Sequence, residues 1–298
     1  MSRPCLFLAL CCACLVATSA QGQGTSKPAN PAQAVLKPGK NSIELTQANG
    51  HVRKVLIELP SSIRSGELLP VVFGFHGDGG PAEGYSERLS PYVRSRRIIS
   101  VSPQGETMSA GPDRTTTFWN FIPGRDWNRK QADDLALVQQ ILALLEAKRL
   151  SDPRRIYATG GSAGGHMCNM LFKNTDTFAA IAPTKCGMVR GVHEPGAGNT
   201  RTPIFWVMGD QDKSYNGSFG EFENIPFRER LQIWRKFNDC LGEPKVVKKS
   251  DMTIETYLAR DGVEVTFCTL PGITHSIPRE LAEKTDALII EFFLRHKK

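Results

Sequence analysis

A serine flanked by glycines is the first candidate for chemistry in this chain. Residues 160–164 read GGSAG and match the pattern G-x-S-x-G, which exposes a nucleophilic serine on a strand-to-helix turn. Such a string arises by chance in about one chain in ten of this length, so it is weak on its own. Its setting strengthens it, because the apolar run 155–159 leads into it and a helical pattern over 164–172 follows. We therefore predict a nucleophile elbow with Ser162 as nucleophile, the alternative being a glycine-rich turn without chemistry.

The partners of this serine are predicted from chain order. A serine hydroxyl becomes an effective nucleophile when a base takes its proton and an acid orients that base. In this architecture the acid and the histidine follow the serine, each after a later strand. Asp210 and Asp212 follow the apolar run 204–208, and His275 follows the run 263–270. We predict that Ser162, Asp212 and His275 act together, and that the competing Asp210 caps the turn.

Acyl transfer also needs N–H donors for the negative charge that develops on the carbonyl oxygen. The residue after the nucleophile, Ala163, is predicted to supply one. The glycine-rich loop 75–80 (FHGDGG) is predicted to supply the other through the Asp78 N–H, with His76 anchoring that loop. The loop lacks the G-K-[ST] sequence of a phosphate cradle.

Two further side chains are predicted to contact substrate. Residues 104–130 show no periodicity but contain Trp119 and Trp127, and they leave the carboxyl end of a predicted strand, where open α/β sheets bind ligands. We expect Trp119 to pack beside Ser162 as a wall for an aromatic acyl group or a sugar face. The alternative is that these aromatics anchor a long loop to the core. His166 lies four residues after Ser162 and is expected to line the pocket rather than to act as the base.

The elements that position these residues are short apolar runs alternating with longer amphipathic ones. Asn49-Gly50 between the β-prone stretches 42–46 and 51–59 predicts a hairpin. Further strands are predicted at 71–75, 98–101, 155–159, 178–183, 204–208 and 263–270, and helices at 132–149, 228–237 and 281–294. This alternation predicts an α/β fold, with a mostly parallel sheet behind an N-terminal antiparallel hairpin.

The chain begins with a pattern typical of export. Arg3 precedes the apolar run 5–17, and small residues lead to Ala20, which predicts a secretory signal peptide over residues 1–20. The run is shorter than the roughly 20 residues of a membrane span. Residues 21–41 are predicted to be a flexible leader and residues 42–298 one catalytic domain. The expected location is therefore secreted or periplasmic.

Composition and cysteine content limit the function classes. The 298 residues are 40% hydrophobic, which excludes collagen-like, coiled-coil and wholly disordered chains. The net charge of +7 is spread along the chain, so no nucleic-acid partner is predicted. No cofactor or metal is expected, since C-x-x-C and H-E-x-x-H are absent from the sequence. Four cysteines follow the signal segment; a Cys240–Cys268 disulfide is predicted, the alternative being four buried thiols.

Taken together, these motifs resemble the secreted α/β-hydrolase esterases grouped with polyhydroxybutyrate depolymerases and feruloyl or acetylxylan esterases. The resemblance covers about residues 71–275 and rests on the segments 75–77, 133–134, 155–165, 209–212 and 234–240. It places the nucleophile, acid and base at Ser162, Asp212 and His275. It implies hydrolysis of a carboxylic ester through an acyl-enzyme, with a polyester, feruloyl or acetyl-polysaccharide substrate that could be polymeric.

The chain also departs from this group at the acyl pocket. Residues 271–278 (PGITHSIP) lack the group's tryptophan, and the loop after His-Gly is altered to DGG at 78–80. The substrates of this group are therefore a poor guide to the substrate of this chain. A serine peptidase on the same fold and a non-catalytic binding protein on a hydrolase scaffold are the alternative functions.

Overall fold

Six parallel strands form the centre of the sheet in a computed structural model, which describes residues 34–111, 114–122, 132–218 and 223–298. Their order across the sheet is β4 (Ile99–Pro103), β3 (Leu69–Phe75), β7 (Ser151–Gly161), β8 (Ala180–Thr184), β9 (Ile204–Gly209) and β12 (Glu264–Leu270). All residues of β3, β4, β8, β9 and β12 are buried. Such continuous burial is typical of parallel strands covered on both faces, and it explains why apolar runs predicted them.

Antiparallel strands extend both edges of this centre. At one edge β1 (Gly39–Thr46) pairs with β2 (Val52–Leu59), which pairs with β4. At the other edge β12 pairs with β11 (Thr253–Leu258), and β11 pairs with β10 (Lys245–Lys248). The predicted mostly parallel sheet with an N-terminal antiparallel hairpin is confirmed. β1 begins three residues before the predicted start of order, so residues 39–41 belong to the sheet and not to a leader.

Helices cover the two faces of the sheet. α1 (Ala82–Ser95) and α5 (Arg279–Arg295) pack on one face, and α2 (Asp134–Ala147), α3 (Ala163–Asn174) and α4 (Phe227–Phe237) pack on the other. Alternate residues of β3 point to opposite faces of the sheet. Val71 and Phe73 pack in the layer that contains α2, α3 and α4, and Val72 packs in the layer that contains α1 and α5. None of the described helices is long and apolar enough to cross a membrane.

The predicted Cys240–Cys268 disulfide is wrong. Cys168, Cys186, Cys240 and Cys268 are buried free thiols in the described part of the chain. Cys240 packs in the layer that contains α4, whereas Cys268 in β12 faces the layer that contains α5. The sheet lies between these two layers, so the two sulfur atoms cannot meet. The Cys240 thiol instead donates to the carbonyl of Val263 at 3.4 Å.

We expect these four thiols to react only after unfolding. Burial raises the pKa of the Cys268 thiol to about 12 and raises those of Cys168 and Cys186 as well, and the thiolate is the reactive form. Iodoacetamide should leave all four unmodified in the native protein and alkylate all four in guanidinium without reductant, as read by peptide mapping. A reduced sample serves as control. A disulfide-linked peptide in the unreduced sample would contradict the structure.

Candidate active site

The predicted site residues converge on one edge of the sheet. The loops that leave β3, β7, β9 and β12 at their carboxyl ends carry His76, Ser162, Asp212 and His275 in turn. These strands are parallel and follow one another across the sheet with only β8 between β7 and β9, so their loops emerge at the same edge. The fold therefore brings residues far apart in sequence to one place.

Ser162 stands alone between β7 and α3 in a strained conformation. Its φ of 57° and ψ of −120° are rare for a residue with a side chain and mark a nucleophile elbow. Its N–H donates to the carbonyl of Thr184 at 3.0 Å. A Cβ on Gly160 would lie 2.3 Å from the Gly164 carbonyl oxygen, and a Cβ on Gly164 only 2.0 Å from the Phe75 oxygen. These two approaches are the physical reason for both flanking glycines in G-x-S-x-G.

Ser162, His275 and Asp212 form one chain of hydrogen bonds. The His275 Nε2 lies 3.1 Å from the Ser162 Oγ, and the His275 Nδ1 lies 2.7 Å from the Asp212 Oδ2. The carboxylate accepts a hydrogen bond from the Nδ1–H, which leaves Nε2 without a proton and able to accept the serine proton. The arrangement is therefore competent for general-base activation of Ser162.

The two aspartates after β9 have different surroundings. The Asp212 carboxylate has no exposed surface. Burial on its own would raise its pKa, but hydrogen bonds from His275 and from the Ser214 N–H outweigh burial and lower it. Asp212 is therefore ionised at neutral pH. Asp210 instead accepts the Gly272 N–H at 2.8 Å, which links the β9 loop to the β12 loop.

The two predicted oxyanion donors belong to two segments that meet at Ser162. Ala163 is the first residue of α3, so its N–H has no acceptor within the helix. The β3 loop touches the serine, because a Cβ on Gly77 would lie 3.4 Å from the Ser162 Cβ. Asp78 follows in that loop, and no described residue accepts its N–H. Its carboxylate accepts a hydrogen bond from the Thr116 hydroxyl.

His76 anchors the loop 75–80, as expected. Its ring is buried, Nε2 accepts the Gly105 N–H at 2.8 Å, and Nδ1 donates to the Gly77 carbonyl at 2.7 Å. Burial lowers its pKa, so the ring is neutral and can keep both bonds. The indole N–H of Trp119 holds the same residue by donating to its carbonyl at 2.8 Å.

The predicted substrate wall at Trp119 is wrong. Trp119 has 0% exposure and packs edge-on against Phe75, with ring centroids 5.2 Å apart. It anchors the loop to the core, which was the alternative. Part of the surrounding segment forms the hairpin β5 (Glu106–Gly111) and β6 (Arg114–Phe118) rather than a long loop. Trp127 lies outside the described residues.

His166 does not line an open pocket. Only 6% of it is exposed, and its ring stacks on Phe121 with centroids 4.6 Å apart. Burial lowers its pKa well below the usual range, and neighbouring His193 adds to this effect. His166 is therefore a neutral packed side chain, which corrects the expectation that it contacts substrate.

Arg230 is a site residue that sequence reasoning missed. It is fully buried and donates to the carbonyls of Cys186, at 2.6 Å, and Ser214, at 2.7 Å. It thereby joins the segment after β8 to the turn whose N–H holds Asp212. Burial lowers its pKa to about 10, so it remains a cation at neutral pH. In the sequence, Arg230 is one of several arginines in the amphipathic helix α4. Only the tertiary structure distinguishes it from the exposed ones.

The chain is similar in sequence to known hydrolases. Residues 111–224, less than half of the chain, match the Prolyl oligopeptidase family. Feruloyl esterase B of Piromyces equi is 26% identical over 243 residues, which are 75% of this chain and 42% of the relative. Poly(3-hydroxyalkanoate) depolymerase C of Paucimonas lemoignei is 27% identical over 221 residues, 70% of this chain and 50% of the relative.

A solved structure gives the same fold. The acetyl xylan esterase from Aspergillus awamori superposes with a TM-score of 0.58 at 14% identity, over 85% of this chain and 98% of that one. The chain has the α/β-hydrolase fold. The resemblance to the feruloyl esterase and depolymerase group is confirmed by these relatives, although the chain spans only about half the length of the curated ones. No three described His, Cys, Asp or Glu side chains come together as a metal site.

We expect Gly164→Ala to destabilise this α/β-hydrolase by at least about 3 kcal/mol, because the new methyl group would overlap backbone that cannot rotate away. Gly242→Ala is the matched control, since a Cβ there meets nothing within 4 Å. Urea unfolding measures both. Equal midpoints for the two variants would contradict the close approach of α3 and β3.

Arg230→Met should cost about 2–4 kcal/mol of folding free energy, because two buried carbonyls lose their donor. It should also lower kcat by displacing the turn that carries Asp212. Arg228→Met on the same helix removes an exposed arginine that pairs with Glu255, and should change stability by less than about 0.5 kcal/mol. If the two variants had equal effects on stability and kcat, Arg230 would not be a residue that supports the site.

Proposed function

We propose that this chain is a serine esterase that hydrolyses carboxylic esters through an acyl-enzyme. The observation that carries the proposal is the hydrogen-bond chain from Ser162 through His275 to Asp212, with separations of 3.1 and 2.7 Å. Relatives named as a feruloyl esterase and a polyhydroxyalkanoate depolymerase support esters as the substrates.

In the proposed reaction, the His275 Nε2 takes the Ser162 proton as the Oγ attacks the ester carbonyl. The N–H groups of Ala163 and Asp78 stabilise the oxyanion. The buried Asp212 carboxylate stabilises the imidazolium, which then protonates the leaving alcohol. Water attacks the acyl-enzyme by the same route, releasing the acid and restoring the serine.

The substrate class and the location belong to the same proposal. Polyester, feruloyl and acetyl-polysaccharide esters are the candidate substrates, in soluble or polymeric form. The signal-like pattern of residues 1–20 supports a secreted or periplasmic enzyme. Hydrolysis of methyl ferulate, acetylated xylan and hydroxybutyrate oligomers, compared at equal enzyme concentration, ranks the three classes.

A serine peptidase is the second candidate, favoured by the match of residues 111–224 to the Prolyl oligopeptidase family. The two activities share the acyl-enzyme and differ in the leaving group. A p-nitrophenyl ester and a p-nitroanilide with the same acyl group separate them. An esterase should turn over the ester and leave the anilide essentially intact.

Ser162→Ala should abolish labelling by a fluorophosphonate and lower kcat for p-nitrophenyl acetate by at least about 10⁴-fold. Asp212→Asn should lower kcat by about 10⁴-fold, because the amide cannot hold the required tautomer of His275. Asp210→Asn is the matched control and should be far milder, since its carboxylate contacts the Gly272 N–H. Labelling that survives Ser162→Ala would overturn the proposed nucleophile, and the reverse order of the two aspartates would overturn the proposed acid.

A further inference from the structure

A cleft between α1 and α5 is lined in part by segments next to those that carry the proposed nucleophile and base. Its volume is about 410 Å³, within the range of sites that bind small ligands. Its wall includes Thr184 at the end of β8, Lys185 directly after it, and Ile277, which lies two residues after His275. The Thr184 carbonyl accepts the Ser162 N–H at 3.0 Å. The cleft therefore lies next to the segments that carry Ser162 and His275, and neither of these two residues lines it.

Four of the five other charged side chains that line this cleft are paired with one another, and the fifth, Glu87, is an anion. Arg88 on α1 holds Asp286 on α5 through two bonds, Nε–Oδ2 at 2.9 Å and Nη2–Oδ1 at 2.5 Å. Arg279 at the rim pairs with Glu283 at 2.8 Å. Lys185 differs, because its ammonium group has no hydrogen bond or ion pair with any described residue. It is the cation in this wall that is free to bind a ligand.

Lys185 has a strained backbone conformation. Its φ of 50° lies in the left-handed region, which is unfavourable for a lysine, and strained residues of this kind concentrate at functional sites. The stem of the side chain lies over Gly161, where a Cβ would be 3.1 Å from the Lys185 Cε. The glycine that precedes the nucleophile therefore leaves the space through which the lysine reaches the cleft.

Charged groups of both signs surround Lys185. Burial lowers its pKa, nearby Arg88 lowers it further, and Asp212 and Asp286 oppose these effects. Neither carboxylate forms an ion pair with it, since Asp286 is bound to Arg88 and Asp212 to His275. A partly buried ammonium group without a partner is unfavourable. A carboxylate in the cleft would supply that partner.

We propose that Lys185 binds a carboxylate of the substrate, so that the enzyme prefers esters whose acyl part ends in a carboxylate over neutral esters of equal length. The inference rests on the proposed esterase function and names its substrate class. The reaction itself is unchanged: water cleaves the acyl–oxygen bond and releases a dicarboxylic acid and an alcohol. Lys185 determines specificity and takes no part in proton transfer.

A matched pair of esters tests this preference. Mono-p-nitrophenyl adipate and p-nitrophenyl hexanoate have acyl chains of equal length and differ in the terminal carboxylate. The ratio of their kcat/KM values, after subtraction of the uncatalysed rates, should fall about 10- to 100-fold in Lys185→Met, the loss expected for a charge-assisted hydrogen bond. Lys185→Arg should retain most of the ratio. Lys248→Met, on the exposed edge strand β10, controls for the loss of one positive charge.

A second role for Lys185 would give a different result. If it serves only as a counter-ion for Asp212, both esters should lose activity equally and the ratio should not change. That outcome overturns the inference. The inference is also overturned if the wild-type enzyme prefers the hexanoate and Lys185→Met leaves that preference unchanged. The proposed function fails separately, if hexanoate hydrolysis persists in Ser162→Ala.

Binding without turnover gives an independent measurement. Monomethyl adipate titrated into the Ser162→Ala protein should bind at least about tenfold more tightly than methyl hexanoate. Adding Lys185→Met to this protein should abolish that difference. If the Lys185→Met protein does not fold, Lys185→Gln takes its place. Equal binding of the two esters by Ser162→Ala would overturn the inference whatever the enzyme hydrolyses.

Discussion

The site depends on one backbone contact, the approach of α3 to the end of β3. Gly164 lies so close to the Phe75 carbonyl that no side chain fits between them. This contact holds the elbow, with Ser162 at φ 57°, against the loop that begins at His76. The proposed nucleophile and the proposed Asp78 donor are therefore positioned relative to one another by main chain, which rotamer changes cannot displace.

Burial of a negative charge is the second constraint. The Asp212 carboxylate has no exposed surface, so it must be satisfied by groups that the fold supplies. His275 and the Ser214 N–H donate hydrogen bonds to it directly. Arg230 donates to the carbonyl of the same Ser214. The Asp210–Gly272 bond joins the loops of acid and base. A single buried carboxylate thus couples segments that follow β8, β9 and β12.

Local signals predicted the parts of this site that depend on local structure. Gly160, Ser162 and Gly164 are close in sequence, and their spacing reflects one turn. The order of Ser162, Asp212 and His275 follows from a parallel sheet whose buried strands are continuous apolar runs. By the same reasoning β10 was missed, because all four of its residues are exposed and give no apolar run. The helix α1 was also missed, since it contains Pro91 and is polar over much of its surface.

Features that depend on distant contacts could not be predicted in this way. Trp119 suggested a substrate wall, but its partner is the His76 carbonyl, 43 residues away. The disulfide prediction failed because sequence distance does not show on which face of a sheet a cysteine lies. Arg230 and Lys185 resemble surface cations until the loops around them are assembled. Short backbone motifs therefore indicate where Ser162 and its partners lie, whereas Arg230 and Lys185 reach their positions through contacts that form only on folding.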